Sequence, residues 1–232
     1  MAINFTVSVD LGQKQDYSAL VLAERPLWLG SRWVYLTDHT PDEAQKLLRQ
    51  WQAAGMPDGG NDWTLNVIHI QRWPLGSSYP SIVADVQDKL RQLQQAEQVE
   101  VRLVCDATGV GNAVVDMFTE RGMHPIALTI TGGVTVSASS RYAVSVPKRD
   151  LVFASVALLE NGRLRWPAGD PTVAILVQEL KSFQMRYSKA GNELFEAERR
   201  AHDDLTLALS MATWLSTTRG AQQLGAPSWL LG

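Results

Sequence analysis

Four carboxylates in this chain fall where elements of secondary structure begin or end. Asp10 closes the alternating run Ile3-Asn4-Phe5-Thr6-Val7-Ser8-Val9-Asp10, just before Leu11-Gly12. Asp106 follows the apolar alternation of Val99, Val101, Leu103 and Cys105, just before Ala107-Thr108-Gly109-Val110-Gly111. Asp203 and Asp204 open the last apolar-periodic segment, directly after His202. Each acid has an ordinary structural explanation. An Asp before Gly initiates turns, and acids at a helix start cap the helix and complement its dipole. Asp10 alone reads equally well as a turn residue or as a ligand. Together the acids pose an electrostatic problem. Carboxylates gathered in one place repel unless a cation lies between them, and no Lys or Arg adjoins Asp10 or Asp106 in the sequence. Hard oxygen donors suit Mg²⁺ or Mn²⁺. Two such ions about 4 Å apart are the arrangement for phosphodiester hydrolysis.

The elements that must position these acids follow from periodicity. Alternation puts Ile3, Phe5, Val7 and Val9 on one face of a first strand and Asn4, Thr6, Ser8 and Asp10 on the other. Gly12 and the polar residues after it turn the chain into a second strand over 17–23, and 32–38 reads as a third. A helix over 41–54 carries Thr40 as its cap, Pro41 at its first position and Asp42 and Glu43 in its first turn. After a Gly-rich loop comes a strand over 63–73, in which His69 reads as a packed or edge residue and not as a ligand. A helix over 81–95, a strand over 99–106, a helix over 112–121 and a strand over 124–130 then alternate. That order implies parallel crossovers and an α/β fold. In such sheets, sites form at the carboxyl ends of parallel strands. If the first strand lies parallel beside 99–106, Asp10 and Asp106 become neighbours. Beyond a polar linker over 135–142, helices are expected after Pro147 and over 171–181. A hairpin comes next over 183–187 and 193–197, and a last helix over 203–215.

Composition narrows the classes further. With 232 residues, 45% of them hydrophobic, the chain can bury one substantial core. A net charge of −3 gives no global basic field, so a nucleic acid must be met by a local patch. The single cysteine, Cys105, excludes an internal disulfide and suits a reducing cytoplasm. No apolar run approaches the roughly 20 residues of a membrane span. Asn4, Thr6 and Ser8 interrupt any signal-peptide core. The eight tryptophans are dispersed, which fits packing better than a base-stacking platform.

Four motifs in this order carry a family resemblance. They are Val9-Asp10-Leu11-Gly12 with Asp16-Tyr17-Ser18-Ala19, Val104-Cys105-Asp106-Ala107-Thr108-Gly109-Val110-Gly111, Val146-Pro147-Lys148-Arg149, and His202-Asp203-Asp204-Leu205-Thr206-Leu207-Ala208. The set resembles the nuclease domain of phage terminase large subunits. The resemblance implies an RNase H-like (RuvC-like) mixed sheet with helices on both faces, over residues 1–216; the rest, 217–232, is rich in Gly, Ser and Thr and is expected to be a flexible tail. It implies a metal-dependent endonuclease that cuts phage DNA with little sequence specificity during genome packaging. Asp10, Asp106 and Asp203 would bind the two metal ions, Mg²⁺ or Mn²⁺. Asp204 and Asp16 would be further ligands or supporting acids. Lys148 matches a basic position of the family, suited to neutralising phosphate or orienting the acids. His202 would orient an acid, contact DNA or pack at the helix start.

The expected partner is double-stranded DNA. Residues 141–200 hold ten basic residues against seven acidic ones. Within them Arg149, Arg186 and Lys189 are candidates for backbone contacts, with the last two on the hairpin. The chain holds no Gly-x-x-x-x-Gly-Lys-[Ser/Thr] motif. A packaging motor is therefore expected on a separate chain, with other terminase or portal components, unless these residues are one domain of a longer protein. Three other readings compete. A Holliday-junction resolvase would use the same fold as a dimer on branched DNA. An actin-like or sugar-kinase-like ATP-binding protein also opens on Asp-x-Gly, but needs a Gly-rich adenosine motif for which Ile130-Thr131-Gly132-Gly133 is a poor match. A catalytically idle subunit would have no use for a full set of acids.

Overall fold

The computed structural model describes residues 3–12, 16–57, 59–60, 62–94, 100–109, 111–187, 193–197 and 202–217, with the backbone alone at 3–4, 183–187 and 193–197. The alternating first segment becomes β1 (Ile3–Asp10), and the next apolar run becomes β2 (Ser18–Glu24), antiparallel to it with Asp10 opposite Ala19. A two-stranded ribbon of β3 (Leu27–Trp28) and β4 (Trp33–Val34) and a 3₁₀ turn at Leu36–Asp38 lead to α1 (Pro41–Ala53). Thr40 and Glu43 close a capping box at the start of α1, as the Thr-Pro-Asp-Glu sequence predicts. β5 (Leu65–Trp73) returns antiparallel to β2. Then α2 (Tyr79–Gln94), β6 (Glu100–Asp106), α3 (Gly111–Glu120) and β7 (Ile126–Thr131) alternate. The chain continues through β8 (Ser137–Ser140), β9 (Ala143–Pro147), α4 (Lys148–Glu160), β10 (Leu164–Arg165) and α5 (Pro171–Ser182). The hairpin of β11 (Phe183–Tyr187) with β12 (Glu193–Ala197) precedes α6 (Asp204–Ser216).

Eight strands form one mixed sheet in the order β10-β5-β2-β1-β6-β7-β9-β8. β1, β6, β7 and β9 run parallel, so the expected crossovers are present. Helices cover both faces. On one side Leu48 and Trp51 of α1, Ile82 and Val86 of α2, and Val114 and Phe118 of α3 meet Phe5, Val7, Val9 and Leu103. On the other side Leu176 of α5 and Leu205 and Leu209 of α6 meet Val21 and Val67. Leu151 of α4 and Met211 and Trp214 of α6 meet Val104, Leu128 and Val146.

β1 is buried on both faces, which alternation alone did not predict. Thr6 and Ser8, on the polar face, are 2% and 0% exposed. That face lies under α6, whose thirteen residues are all buried. A helix buried all round must satisfy its polar groups internally. The Ser8 hydroxyl lies 2.6 Å from the Ala208 carbonyl and 3.1 Å from that of Val21, and donates to them. Ser155 of α4 meets Ser210 at 3.2 Å and Thr213 at 2.8 Å. The polar alternation of β1 is thus the seam along which α6 is bonded to the sheet.

Two expected elements differ. The strand over 32–38 shrinks to Trp33–Val34, outside the main sheet. The buried Glu24 carboxylate accepts the Leu36 and Thr37 amides and the Thr37 hydroxyl, so those amides go to a side chain and the chain bends into a 3₁₀ turn. The linker over 135–142 contains β8, and β9 comes directly after it. β8 is an exposed serine-rich edge whose strand character comes from pairing with β9 and not from its own pattern. The tail over 218–232 lies outside the described residues.

Candidate metal centre at the carboxyl ends of the central strands

β1 and β6 are parallel neighbours, with Val9 opposite Cys105. One step further, Asp10 and Asp106 end adjacent strands, whose spacing is about 4.8 Å. Asp10 shares its face with Thr6 and Ser8, and Asp106 shares its face with Val104, which packs in the core that includes Met211 and Trp214 of α6. Both acids therefore point to the side on which α6 starts with Asp203 and Asp204. Two glycines make the turns out of these strands possible. A Cβ on Gly12 would stand 2.1 Å from the Tyr17 carbonyl oxygen, and one on Gly111 would stand 2.0 Å from that of Asp106. The first lets Gly12 lie close against the backbone of Tyr17; the second lets α3 begin against the end of β6.

The electrostatics of Asp10 record this convergence. Burial raises its pKa well above the usual carboxylate range, and the charges of Asp106, Asp204 and Asp203 raise it further, while Lys148 pulls it down. Among the described residues the Asp10 carboxylate receives no hydrogen bond, although the residue is only 6% exposed. Burial likewise raises Asp106, against the hydrogen bonds of Thr108, whose amide donates to Asp106 Oδ1 at 2.8 Å. Lys148, at the first position of α4, bonds Asp203 Oδ2 at 2.9 Å and acts on both Asp10 and Asp106. It adjoins neither acid in the sequence, and only the family resemblance had assigned it a role beside them. Asp204 is raised to about 6, chiefly by burial, with Arg72 and His202 opposing. Burial, and then the nearby charges of Asp106 and Asp10, also pushes the Cys105 thiol up, so it is no nucleophile.

Among the described residues no three His, Cys, Asp or Glu side chains converge closely enough to cage an ion as they stand. The donor chemistry nonetheless fits a hard divalent cation. All the convergent groups are carboxylates. The protein contacts of Asp203 and Asp204 all fall on Oδ2, so each keeps Oδ1 uncommitted among the described residues. A buried Asp10 that has no donor among the described residues and faces three like charges is the counterpart such a cation needs.

The sequence model of the terminase RNaseH-like domain matches residues 80–214, more than half of the chain. The chain belongs to this family. Its fold is similar to that of the large terminase nuclease from thermophilic phage G20c, with a TM-score of 0.53 and 19% identity over 90% of this chain and 80% of that one. The large terminase nuclease domain of Thermus phage P74-26 gives 0.51 and 18% over 91% and 79%. The terminase large subunit of Thermus phage G20c is 26% identical over 110 residues, which span 47% of this chain and 19% of that relative. The G20c nuclease has also been crystallised with bound magnesium and with bound cobalt.

This terminase-family domain places the remaining expected residues around the acids or away from them. Asp16 is exposed and its charge reaches Asp204. His202 packs edge-on against Tyr17, with ring centroids 4.8 Å apart, and its Nδ1 lies 4.0 Å from Asp204 Oδ2. Arg149 contacts Asp150 and the Val134 carbonyl, each at 3.3 Å. The Arg186 side chain and Lys189 lie outside the described residues. His69 meets Gln71 at 3.2 Å, within β5, as a packed residue. Asp203 does sit at the N-cap position of α6, but its side chain makes no capping bond. Two residues at this edge escaped sequence reasoning. Arg72, near the end of β5, bonds Asp204 at 3.2 Å and pairs with Glu179 of α5. The available signal was Glu179 itself, a carboxylate three residues after Leu176 on the buried side of α5.

Proposed function

We propose that this domain is a metal-dependent DNA endonuclease of terminase type. The observation that carries the reading is the convergence of Asp10, Asp106, Asp203 and Asp204 at one sheet edge, with Asp10 buried and without a donor among the described residues. Membership of the terminase RNaseH-like family supports it. Asp10, Asp106 and Asp203 would hold two Mg²⁺ or Mn²⁺ ions, with Asp204 as a further ligand. Bound there, such ions lower the pKa of an attacking water and stabilise the leaving oxygen. Lys148 adds a positive charge where a scissile phosphate would approach and keeps Asp203 oriented. Asp16 and His202 flank Asp204 from outside and tune its charge. The substrate is double-stranded DNA, met through phosphates and not base edges, with Arg149, Arg186 and Lys189 as candidate contacts. The net charge of −3 favours weak, salt-sensitive binding by this domain, with a packaging ATPase and other terminase components supplying more of the grip. The host cytoplasm is the setting.

Plasmid nicking tests the reading. Cleavage is expected with Mg²⁺ or Mn²⁺ and none with a chelator, and Asp10→Asn, Asp106→Asn and Asp203→Asn are each expected to abolish it in a folded chain. Full activity in any one variant removes that residue from the site. ATP hydrolysis without DNA cleavage would place the chain in the kinase-like class instead.

A further inference from the structure

An acid at the N-cap ordinarily turns its carboxylate back to the second or third amide of its own helix. Asp203 does not. Its carbonyl accepts from the Leu207 amide at 2.8 Å, as a cap residue's should, but its carboxylate goes to Lys148. The third amide of α6, Thr206, donates instead to Glu179 Oε2 at 3.0 Å, from a different helix. The other oxygen of Glu179 accepts from Arg72 Nη2, and that same nitrogen reaches Asp204 Oδ2. Arg72 is held in turn. Its guanidinium lies 4.4 Å over the Tyr17 ring, and Tyr17 packs against His202. The β-sheet register puts Arg72 opposite Ala19, and Ala19 opposite Asp10, so Arg72 lies two strands across from the central acid. Glu179 and Asp204 are both 6% exposed and Arg72 is 15% exposed, so the arrangement is fixed inside the protein.

We propose that Arg72 and Glu179 are positioning residues for the carboxylates of α6. Glu179 takes over the capping of the helix and releases Asp203 from that duty. Arg72 holds Asp204 through Oδ2 alone. The Oδ1 atoms of Asp203 and Asp204 are thereby kept for a divalent cation. The inference rests on the reading of the four acids as a cation site. Its rival is an ion pair that only locks α5 against the sheet.

Mn²⁺ titration of the full chain, monitored by calorimetry or by the electron paramagnetic resonance of free Mn²⁺, separates the two. Thermal melting without metal is measured beside it. Arg72→Gln is expected to weaken Mn²⁺ binding about 10- to 100-fold at temperatures where the variant is folded, the range typical of groups that orient ligands. Arg72→Lys keeps the charge but not the planar fork, and its affinity is expected to fall between Arg72→Gln and wild type. Wild-type affinity in a folded Arg72→Gln chain, with only the melting temperature lowered, overturns the proposal. If Arg72→Gln does not fold, Arg72→Lys decides: an intermediate loss supports the positioning role, and wild-type affinity overturns it. Asp10→Asn is the control for the underlying reading. Undiminished Mn²⁺ binding in that variant removes the cation site itself. Loss in Asp10→Asn without loss in Arg72→Gln removes only the role of Arg72.

Discussion

Glu179→Gln should change how the stability of the metal-free protein depends on pH. Glu179 sits between α5 and α6 with Arg72 on one oxygen and the Thr206 amide on the other. Burial outweighs both partners and lifts its pKa from 4.5 to about 7. A carboxyl raised in the folded state binds its proton more tightly there than in the unfolded chain. Its stabilising contribution is therefore complete below the unfolded value of 4.5 and is lost as pH rises through about 7. The difference of about 2.5 pH units, at about 1.4 kcal/mol each, sets an upper bound of about 3.5 kcal/mol. Little solvent screening reduces it, because the side chain is only 6% exposed.

The assay is urea unfolding of wild type and Glu179→Gln, with chelator, in buffers from pH 8 to pH 5. Glutamine cannot titrate, so the wild type should gain about 2–3 kcal/mol on the variant as the pH falls across that range. Asp204, raised to about 6, titrates in the same window in both proteins, and the subtraction removes it except for its coupling to Glu179. A constant offset between the two proteins would mean that Glu179 is ionised throughout and that Arg72 and Thr206 compensate its burial fully. A gain in the opposite direction would mean that the ion pair with Arg72 outweighs burial and lowers the Glu179 pKa.

Three further substitutions have definite expectations. Asp10→Asn should stabilise the chelated protein at neutral pH, because it removes a buried charge that three neighbouring carboxylates oppose, while it abolishes cleavage; equal or lower stability by urea unfolding would contradict the electrostatic account. Gly111→Ala should lower stability by at least about 2 kcal/mol, since its Cβ would stand 2.0 Å from the Asp106 carbonyl oxygen, and an unchanged melting temperature would show that α3 can shift without cost. Ser8→Ala should cost about 1 kcal/mol through the lost bond to the Ala208 carbonyl, measured in the same unfolding experiment.

Sequence pattern pointed to the acids of the proposed site but not to the contacts that hold them. Asp10 and Asp106 stood out because strand alternation stops at them and glycine comes within a few residues, so local period and local punctuation agreed. The α1 cap was legible for the same reason: all its residues lie within one turn. β8 was not, because an exposed run of serines and alanine becomes a strand only by pairing with its neighbour in the sheet. The 3₁₀ turn after β4 was hidden because the buried acceptor that makes it, Glu24, lies 12 residues upstream of Leu36. Arg72 and Glu179 are 107 positions apart, and no periodicity encodes a partner at that distance. Lys148 and Asp203, 55 apart, could be paired only through the family resemblance.

The spacing between Asp10 and Asp204 is set by bonded secondary structure and not by loops. Ser8 lies two residues before Asp10, on the same face of β1. Its acceptor, Ala208, lies one helical turn after Asp204. The Ser8–Ala208 bond therefore fixes β1 against α6 within one turn of both acids, although the bonded residues are 200 positions apart. A strand and a helix joined this way resist the repulsion that burial and like charge impose on the four carboxylates. A loop in their place could relax by moving an acid out to solvent, and the proposed site would be lost. This gives a physical reason for burying hydroxyls, where apolar residues would pack as well, along the face of β1 that carries Asp10. It also explains why α6, which begins with the two acids, is the most completely enclosed helix among the described residues.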